Sequence, residues 1–372
     1  MKSVGLMTCY MDNYGACLQA YALQQSIIKA GHKCEIIKYT PIRNLKDYGP
    51  VMTIGRTVYR SFKGIINVNF RFDNYRHQYF ERFRKEYLTF SKMNYLNDFD
   101  LYNHTPIYDC YVTGSDQIWN PNLYGGKNNL AYFLDFVPEG KKKIAYAPSI
   151  GVSSISDACA QEMAALLSKF DAISVREEDG KQIIDRISNC GCRVVLDPTL
   201  LISKEEWNVL IGKRIIKKQY ILLYLFGNRS YIKEFVEYVS KKTGMMVVTL
   251  PFNEREYRSD YIKIKRAGPI EFINLIKYAS LVITDSFHAT AFSINLHAPF
   301  YSLLRNESGD KNNMNSRIFN MLNLADLKDR LISDYNGFPK DITYELDFEK
   351  SDKNIKERRE KDFDFLKNAL ER

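Results

Sequence analysis

The sequence lacks the apolar runs and the leader that would place it in or across a membrane. None of its 372 residues lies in an uninterrupted apolar stretch of about eighteen or more, the length that a transmembrane helix needs. The N-terminal segment, MKSVGLMTCYMDNYGA, enters a strand pattern directly and shows no signal-peptide cleavage site. We therefore expect a cytoplasmic protein, with peripheral contact at the inner face of the membrane as an alternative.

Cysteine is too scarce and too irregularly placed for a disulfide framework. The seven cysteines are odd in number and lie mostly within apolar segments, which is typical of reduced thiols in a core. Cys190 and Cys192 form a C-x-C pair without a second pair of ligands, so the sequence does not predict a zinc site. Internal repeats and low-complexity tracts are also absent, which excludes solenoid and fibrous architectures.

The length and the charge distribution indicate two domains and one basic segment. At 372 residues with 45% apolar side chains, the chain is long enough for two hydrophobic cores. The formal net charge of +9 is concentrated at 41–95, where eleven Lys or Arg stand against four Asp or Glu. We interpret 41–105 as a basic aromatic insertion.

The centre of this segment, NFRFDNYRHQYFERFRKEYLTF, predicts a helix with two interpretations. Its aromatic and basic residues could lie on an anionic membrane surface, or bind a lipid-linked phosphate, through 70–92. Alternatively, the helix packs its aromatic face on the domain and leaves its arginines in water. No nucleic-acid-binding motif accompanies the charge, so we expect no nucleic-acid partner. The basic residues concerned are Arg71, Arg76, Arg82, Arg84 and Lys85.

Short β-rich runs alternate with helical patterns along the chain, which predicts an α/β fold with two doubly wound parallel sheets. We expect an N-terminal domain at 1–212, a C-terminal domain at 219–335 and a charged helix at 345–372 that could pack back on the first domain. Two such domains create a cleft between facing strand ends. The predicted strands are Val4–Tyr10, Cys34–Tyr39, Tyr108–Thr113, Lys143–Ala147, Ala172–Val175, Arg193–Leu196, Tyr220–Phe226, Met245–Leu250, Leu281–Thr284 and Pro299–Leu303.

Polar clusters follow several of these strands at their carboxyl ends. Asn13 follows the first strand, Ser115 and Asp116 follow Tyr108–Thr113, and Arg176 follows Ala172–Val175. Because strand ends line the ligand crevice of such sheets, these side chains could converge. Each also has a purely structural interpretation: the first three could cap a helix or turn, and Arg176 could pair with a neighbouring carboxylate.

The segment 278–304 places a histidine where anionic ligands bind. The strand Leu281–Thr284 runs into Asp285-Ser286-Phe287-His288 and then into a helical pattern. Free backbone N–H groups and the positive end of the helix dipole favour an anion there. His288 could equally be an ordinary histidine at a helix start.

Five segments together resemble the polysaccharide pyruvyl transferase family. They are NYGACLQAYALQ at 13–24, VTGSDQIWNP at 112–121, SVREEDG at 174–180, LDPTLL at 196–201 and TDSFHATAFS at 284–293. The resemblance implies two Rossmann-like domains in a GT-B-like arrangement with an interdomain cleft. It also implies a bacterial enzyme that transfers pyruvate from phosphoenolpyruvate, as a ketal, to a sugar of an exopolysaccharide or capsular polysaccharide precursor. An acceptor linked to polyprenyl diphosphate is one alternative.

The same resemblance suggests roles for the polar residues without a metal or cofactor. Arg176 would bind the phosphate or carboxylate of phosphoenolpyruvate, since a guanidinium binds either group with two hydrogen bonds. His288 would act as the acid and Asp116 would orient or deprotonate the sugar hydroxyl. Asn13, Ser115 and Ser286 complete the predicted substrate-binding set.

One departure from the family pattern concerns the residue two positions before His288. Characterised members carry an Arg there, whereas this chain reads Ser286-Phe287-His288. A second cation must then come from elsewhere, and Arg305, Lys311 or Arg317 could supply it. These three could also form a solvated basic loop.

Two further functions fit the same architecture. A GT-B-type glycosyltransferase would use a nucleotide sugar, although the second domain lacks a suitably spaced pair of glutamates; Glu234 and Glu237 are too close. A non-catalytic protein that binds a glycan or a lipid phosphate would keep the scaffold without turnover.

Overall fold

The computed structural model describes residues 1–41, 68–227, 229–251, 256, 259–305 and 315–371, with 68–75 and 315 described by backbone only. The prediction that Lys311 binds substrate falls outside these residues, as does the part of the basic segment at 42–67. None of the helices within these ranges is both long and apolar enough to cross a membrane.

The N-terminal half forms a seven-stranded parallel sheet. Its strands are β1 (Ser3–Met7), β2 (Lys33–Tyr39), β3 (Phe90–Tyr95), β4 (Cys110–Thr113), β5 (Lys142–Ala145), β6 (Ala172–Val175) and β7 (Arg193–Val194). Their spatial order is β3-β2-β1-β4-β5-β6-β7, so the direction of winding reverses between β1 and β4. These two strands pair in parallel, with Leu6 opposite Val112. A reversal of this kind opens a crevice at the carboxyl ends of the strands.

The C-terminal half forms a second parallel sheet of six strands. They are β8 (Tyr220–Tyr224), β9 (Met246–Thr249), β10 (Ile262–Lys263), β11 (Leu281–Thr284), β12 (Phe300–Leu303) and β13 (Leu331–Ile332). The order β10-β9-β8-β11-β12-β13 reverses between β8 and β11. The central strands β8 and β11 are buried along their whole length, which explains their uninterrupted apolar sequences.

Helices cover both sheets and connect successive strands. The helices are α1 (Tyr14–Lys29), α2 (Val68–Tyr87), α3 (Asp98–Asn103), α4 (Asp157–Leu167), α5 (Glu178–Ile187), α6 (Pro198–Leu201), α7 (Lys204–Leu210), α8 (Ser230–Thr243), α9 (Pro269–Lys277), α10 (Phe287–Asn295), α11 (Asn315–Ala325) and α12 (Glu349–Glu371). Single 3₁₀ turns occur at Pro121–Tyr124, Leu130–Phe133, Lys328–Arg330 and Tyr335–Gly337.

Aromatic packing joins the two halves below the crevice. Tyr14 of α1 stacks on Phe272 of α9 with ring centroids 4.6 Å apart. Asn295, at the end of α10, donates hydrogen bonds to the carbonyls of Thr199 (3.0 Å) and Ile202 (2.9 Å). These contacts connect α1 and the segment 199–202 of the first half to α9 and α10 of the second half.

The C-terminal helix α12 contacts elements of both halves. Leu366 and Leu370 are buried in the same core cluster as α1, and the Asp362 carboxylate accepts a hydrogen bond from the Leu196 amide at 2.7 Å. The helix also packs on α11. It thus ties the last strand of the first sheet to a helix of the second.

The predicted fold class is confirmed, and all ten predicted strands are present with ends shifted by up to three residues. The segment interpreted as an insertion, 41–105, contributes β3 to the first sheet as its edge strand, which the sequence did not predict. Only Ser91 and Tyr95 of this strand are buried, so it has no apolar run to reveal it. The strands β10 and β13, two residues each, were also missed. The residue bounds of the domains stay predictions.

The described end of α2 packs on the helices α1 and α9 through its aromatic residues. Phe80 and Phe83 are buried, as the packing interpretation predicted, but Arg84 is not in water. Its Nη2 lies 2.7 Å from Asp12 Oδ1, and its Nη1 donates to the Tyr10 carbonyl at 3.1 Å.

The exposed surface of this helix end carries balanced charge. Arg82 and Lys85 are exposed, but so are Glu81 and Glu86. This part of the helix therefore offers little net attraction to an anionic membrane, and membrane contact stays a prediction.

Candidate active site

A fully buried carboxylate, Asp197, lies at the centre of the polar side chains between the two sheets. Its Oδ1 caps α6 by accepting hydrogen bonds from the amide (3.0 Å) and hydroxyl (2.7 Å) of Thr199. Its Oδ2 lies 2.8 Å from Arg176 Nη1, 3.3 Å from Ser115 Oγ and 3.6 Å from His288 Nε2. One carboxylate oxygen therefore gathers three residues that the sequence predicted for the site.

These residues converge because each follows a strand at its carboxyl end. Ser115 and Asp116 follow β4, Arg176 follows β6, and His288 lies in the first turn of α10 after β11. The first two strands belong to one sheet and the third to the other. Facing strand ends thus bring together side chains that are far apart in sequence.

Arg176 is buried within a ring of acidic groups. Besides its bond to Asp197, its Nη2 lies 3.6 Å from Asp116 Oδ1 and its Nε lies 4.0 Å from Glu177 Oε2. The guanidinium also sits 4.6 Å from the ring centroid of Phe287. Nε and Nη2 nevertheless have no hydrogen-bond acceptor in the described part of the chain. Two buried donors are therefore available to a ligand.

Glu177 positions the adjoining backbone. Its Oε1 accepts hydrogen bonds from Ser149 Oγ (2.9 Å) and from the amides of Ile150 (2.8 Å) and Gly151 (3.0 Å). This use of the carboxylate explains why an acidic residue next to Arg176 is buried. The predicted partner of Arg176, a neighbouring carboxylate, is chiefly Asp197.

Burial and neighbouring charges determine the pKa values of Asp197 and Arg176. Burial raises the pKa of the Asp197 carboxyl, but His288 and Arg176 lower it by more, so the pKa lies below its ordinary value. Burial lowers the pKa of Arg176, but Asp197, Asp116 and Glu177 raise it by more. Both groups are therefore charged at neutral pH.

His288 is held by the start of α10 and by close contact with α1. Ser286 caps α10 by accepting a hydrogen bond from the Ala289 amide at 3.5 Å. The His288 side chain is 11% exposed, and its Nε2 lacks a hydrogen-bond partner within the described ranges. A Cβ atom at Gly15 would overlap the imidazole around Nδ1. Glycine is required there because the helix backbone approaches the ring so closely.

Replacing Gly15 with alanine should displace the His288 ring. The added methyl group overlaps the imidazole, so we expect a stability loss of about 1–3 kcal/mol, typical of overpacking, and a shifted ring resonance. Histidine-selective NMR, assigned with a His288→Gln variant, and thermal melting measure both effects. Gly212→Ala is the matched control, since no atom lies within 4 Å of its Cβ position. An unchanged His288 resonance in Gly15→Ala would contradict the contact.

A second buried guanidinium, Arg317 of α11, lies near the same phenylalanine. Its guanidinium is 5.8 Å from the Phe287 ring centroid, and its Nε has no acceptor in the described structure. Burial, followed by repulsion from Arg176, lowers the pKa of Arg317 to about 10. Arg317 therefore stays charged at neutral pH, at an electrostatic cost that an anionic ligand would remove.

Arg176, Phe287 and Arg317 line one cavity of about 270 Å³ between the two halves. Its remaining wall is mixed, with Asn320 and Asn323 of α11 among the polar residues. His288 does not line the cavity but follows Phe287 directly. The cavity thus combines three cations, Arg176, Arg317 and Arg358, with the carboxylates of Glu178 and Asp197 and with neutral hydrogen-bonding groups.

Three residues predicted to bind substrate make structural contacts in the fold, and their role in binding stays a prediction. Asn13 caps α1 through a hydrogen bond from the Ala16 amide at 3.1 Å, which is the structural interpretation left open by the sequence. Ser286 caps α10. Arg305 Nη2 donates to the Asp285 carbonyl at 3.1 Å, and its guanidinium lies over Phe226. Only Arg317 of the two described candidates for the second cation faces the cavity that Arg176 lines.

Asp116 joins the site to a second cavity. Its side chain is 19% exposed and lines a space of about 590 Å³ at the ends of β1, β2 and β4. Its backbone is fixed by a hydrogen bond of 2.7 Å from the Ser149 amide. Asp116 therefore lies between Arg176 and this second space.

The sequence missed Asp197, Glu177 and Gly15 as site residues. Asp197 was noted only as part of the LDPTLL segment at 196–201, although its position after the last strand of the first sheet was available as a clue. No group of three or more His, Cys, Asp or Glu side chains that could hold a metal ion occurs among the described residues. All seven cysteines are free thiols.

A family model described as polysaccharide pyruvyl transferase matches residues 13–307. No curated protein matches the sequence. Among solved structures, UDP-GlcNAc 2-epimerase from Methanocaldococcus jannaschii is 14% identical with a TM-score of 0.50, over 95% of this chain and 91% of that one.

The epimerase from Neisseria meningitidis bound to UDP-GlcNAc is 10% identical with a TM-score of 0.50, over 99% of this chain and 93% of that one. A putative epimerase from Listeria monocytogenes is likewise 10% identical with a TM-score of 0.50, over 94% and 93%. At these identities the similarity concerns the GT-B fold alone.

Proposed function

Since this chain belongs to the polysaccharide pyruvyl transferase family, we propose that it transfers pyruvate from phosphoenolpyruvate to a sugar of a polysaccharide precursor, forming a ketal. The observation that carries the choice of phosphoenolpyruvate is a set of buried nitrogen atoms that have no hydrogen-bond acceptor among the described residues. They are Nε and Nη2 of Arg176, Nε of Arg317 and Nε2 of His288.

Phosphoenolpyruvate matches this set in charge and in hydrogen bonding. Leaving a buried charged donor unpaired costs roughly 1–3 kcal/mol or more, so the site favours a ligand rich in anionic oxygens. A phosphate and a carboxylate attached to the same carbon, C2, supply acceptors for two guanidinium groups at once. The mixed wall of the 270 Å³ cavity accommodates the small carbon skeleton.

Arg317 offers a replacement for the arginine that the family pattern places before the histidine. In this chain that position is Ser286, which is occupied in capping α10. Arg317 reaches the Phe287 ring from a different helix. Arg317 thus brings a cation near Phe287, the residue next to Ser286, from another part of the sequence.

His288 and Asp116 then divide the proton transfers. His288 gives a proton to C3 of the enol, which makes C2 electrophilic, and the first sugar hydroxyl adds to C2 as Asp116 takes its proton. Phosphate leaves from C2 with the bonding electron pair and takes the proton from Asp116. A neighbouring hydroxyl then closes the ketal at C2 and gives its proton to the imidazole of His288, which restores both groups. Asp197 offers an opposite charge 3.6 Å from His288 Nε2, and the cations next to Phe287 stabilise the leaving phosphate.

Isothermal calorimetry with phosphoenolpyruvate should show binding by the wild-type protein without an acceptor. Replacing Arg317 with methionine should weaken this binding roughly ten- to a hundredfold, the value of a hydrogen bond to a charged group. The same variant should melt at a higher temperature without ligand, because it removes a buried charge that has no ion pair among the described residues. A variant that binds phosphoenolpyruvate more weakly but melts at a higher temperature would show that Arg317 serves ligand binding at a cost in stability.

Arg186→Met is the matched control, since Arg186 is exposed on α5 and the charge change is the same. Arg186→Met should leave both the phosphoenolpyruvate affinity and the melting temperature unchanged. UDP and a UDP-sugar serve as competing ligands. Binding of the nucleotide alone would favour a glycosyltransferase, and Arg317→Met without effect on phosphoenolpyruvate would reject the proposed cavity.

A further inference from the structure

The 590 Å³ cavity at the ends of β1, β2 and β4 has the features of a sugar site. It shares Asp116 with the cluster around Asp197, and Asp116 Oδ1 lies 3.6 Å from Arg176 Nη2. A hydroxyl bound to Asp116 from this side would therefore lie beside the cations of the smaller cavity. This position suits the sugar that accepts pyruvate rather than phosphoenolpyruvate, which donates it.

The described lining of this cavity contains four tyrosines and one charged side chain. Asp116 is the charged one, and neither Lys nor Arg occurs among the described lining residues. Because no cation accompanies Asp116 among the described lining residues, its charge disfavours phosphate and carboxylate ligands within the cavity, although Arg176 lies 3.6 Å from its Oδ1. Tyrosine rings instead suit the C–H face of an uncharged ring, as in pockets with apolar walls and few polar groups. The tyrosines are Tyr10, Tyr39, Tyr124 and Tyr132.

The aromatic walls are fixed in place. The Tyr39 and Tyr132 rings meet edge to face with centroids 5.9 Å apart. The Tyr39 hydroxyl bonds to Asp98, and the Tyr10 hydroxyl donates to the Tyr39 carbonyl at 3.3 Å. A ligand entering this space therefore meets a surface that needs no rearrangement, which lowers the entropic cost of binding.

The rim of the cavity is exposed and apolar. Met11 and Leu123 line it, and they are 62% and 49% exposed. Scattered apolar residues on a surface are ordinary, but two at the mouth of an aromatic pocket extend its apolar wall outward. The remainder of a longer saccharide would pass over them.

We infer that this tyrosine-lined cavity binds the acceptor as an uncharged pyranose ring, with a hydroxyl on Asp116, and that it discriminates against phosphorylated sugars. The inference rests on the proposed pyruvyl transfer and names the class of its acceptor. Within that reaction, the sugar hydroxyl nearest Asp116 is the first to attack C2 of phosphoenolpyruvate. The negative charge of Asp116 favours uncharged sugars over phosphorylated ones.

Saturation-transfer NMR with methyl pyranosides of glucose, galactose, mannose and their N-acetylated forms, beside the corresponding 6-phosphates, tests the inference. At least one uncharged pyranoside should bind, and its phosphate should bind about tenfold more weakly. Tyr124→Ala should weaken pyranoside binding about tenfold while Tyr124→Phe retains it, because the ring and not the hydroxyl makes the contact. Phosphoenolpyruvate affinity should be unchanged in both variants.

Tyr102→Ala is the matched control, because Tyr102 is a half-exposed tyrosine outside the cavity. Thermal melting confirms that each variant is folded. Equal or tighter binding of the 6-phosphates, or pyranoside binding unaffected by Tyr124→Ala, would overturn the inference. Pyranoside binding that depends on Tyr124 in a protein that fails to bind phosphoenolpyruvate would support the sugar site and reject the proposed donor.

Discussion

A His288→Gln variant is expected to fold, to bind phosphoenolpyruvate and to turn over about 10²–10⁴-fold more slowly, the usual value of general acid–base help. The expectation of folding rests on the position of the side chain. His288 lies in the first turn of α10, whose cap is Ser286, and its Nε2 makes no hydrogen bond within the described structure. Glutamine keeps a polar group there but cannot donate a proton near neutral pH.

Phosphate release from phosphoenolpyruvate, measured with the best-binding methyl pyranoside, reports turnover, and calorimetry reports donor affinity. A loss confined to kcat would separate proton transfer from binding. The matched control is His297→Gln, since His297 follows the same helix but bonds to Lys204 (2.7 Å) and Asp352 (2.6 Å) away from the site. Equal turnover by wild type and His288→Gln would leave His288 without a chemical role.

The same experiment separates an enzyme from a non-catalytic binding protein. In a protein that only binds a glycan or a lipid phosphate, His288→Gln would change no product because none is formed. An active wild type with a slow variant would exclude that alternative. The turnover of His288→Gln therefore distinguishes an enzyme from a binding protein, and it also tests whether His288 transfers a proton.

The sequence predicted the local parts of the site because the signals for them are local. The strand Leu281–Thr284 and the helix after it follow from a short apolar run and a serine cap, and they place His288 correctly at a helix start. Arg176 follows its strand in the same way. These elements depend on neighbouring residues only.

The partners of these side chains depend on tertiary packing and could not be predicted. Arg305, Lys311 and Arg317 were equivalent in sequence, and only the path of α11 brings Arg317 toward Phe287. The packing interpretation of the sequence left Arg84 in water, but its guanidinium pairs with Asp12 in the loop after β1. Long-range pairing of charges has no periodicity from which it could be inferred.

Asp197 is the clearest example of this limit and leads to the second large expected effect. Replacing it with asparagine removes the charge that pairs with Arg176 at 2.8 Å and faces His288 at 3.6 Å. Breaking a buried ion pair from one side typically costs about 3–5 kcal/mol. We expect a loss of that size in the free energy of unfolding at pH 7, measured by urea denaturation.

Asp185→Asn is the matched control, because Asp185 pairs with Lys181 on the surface of α5 and such exposed pairs contribute about 0–1 kcal/mol. The wild type should be more stable than Asp197→Asn by a margin several times larger than any effect of the control. If the two variants were equally stable, Asp116 and Glu177 alone would suffice to hold Arg176.

The effect of Asp197 should also depend on pH in one direction. The pKa of Asp197 is lower in the folded protein than its unfolded value of about 3.9. Its contribution to stability is therefore complete above that unfolded value and is lost as the pH falls toward the lower folded one. The stability difference between wild type and Asp197→Asn should thus be constant from about pH 5 to 7 and shrink below about pH 4. A difference that grew on acidification would mean that His288 and Arg176 do not hold this carboxylate in its charged form.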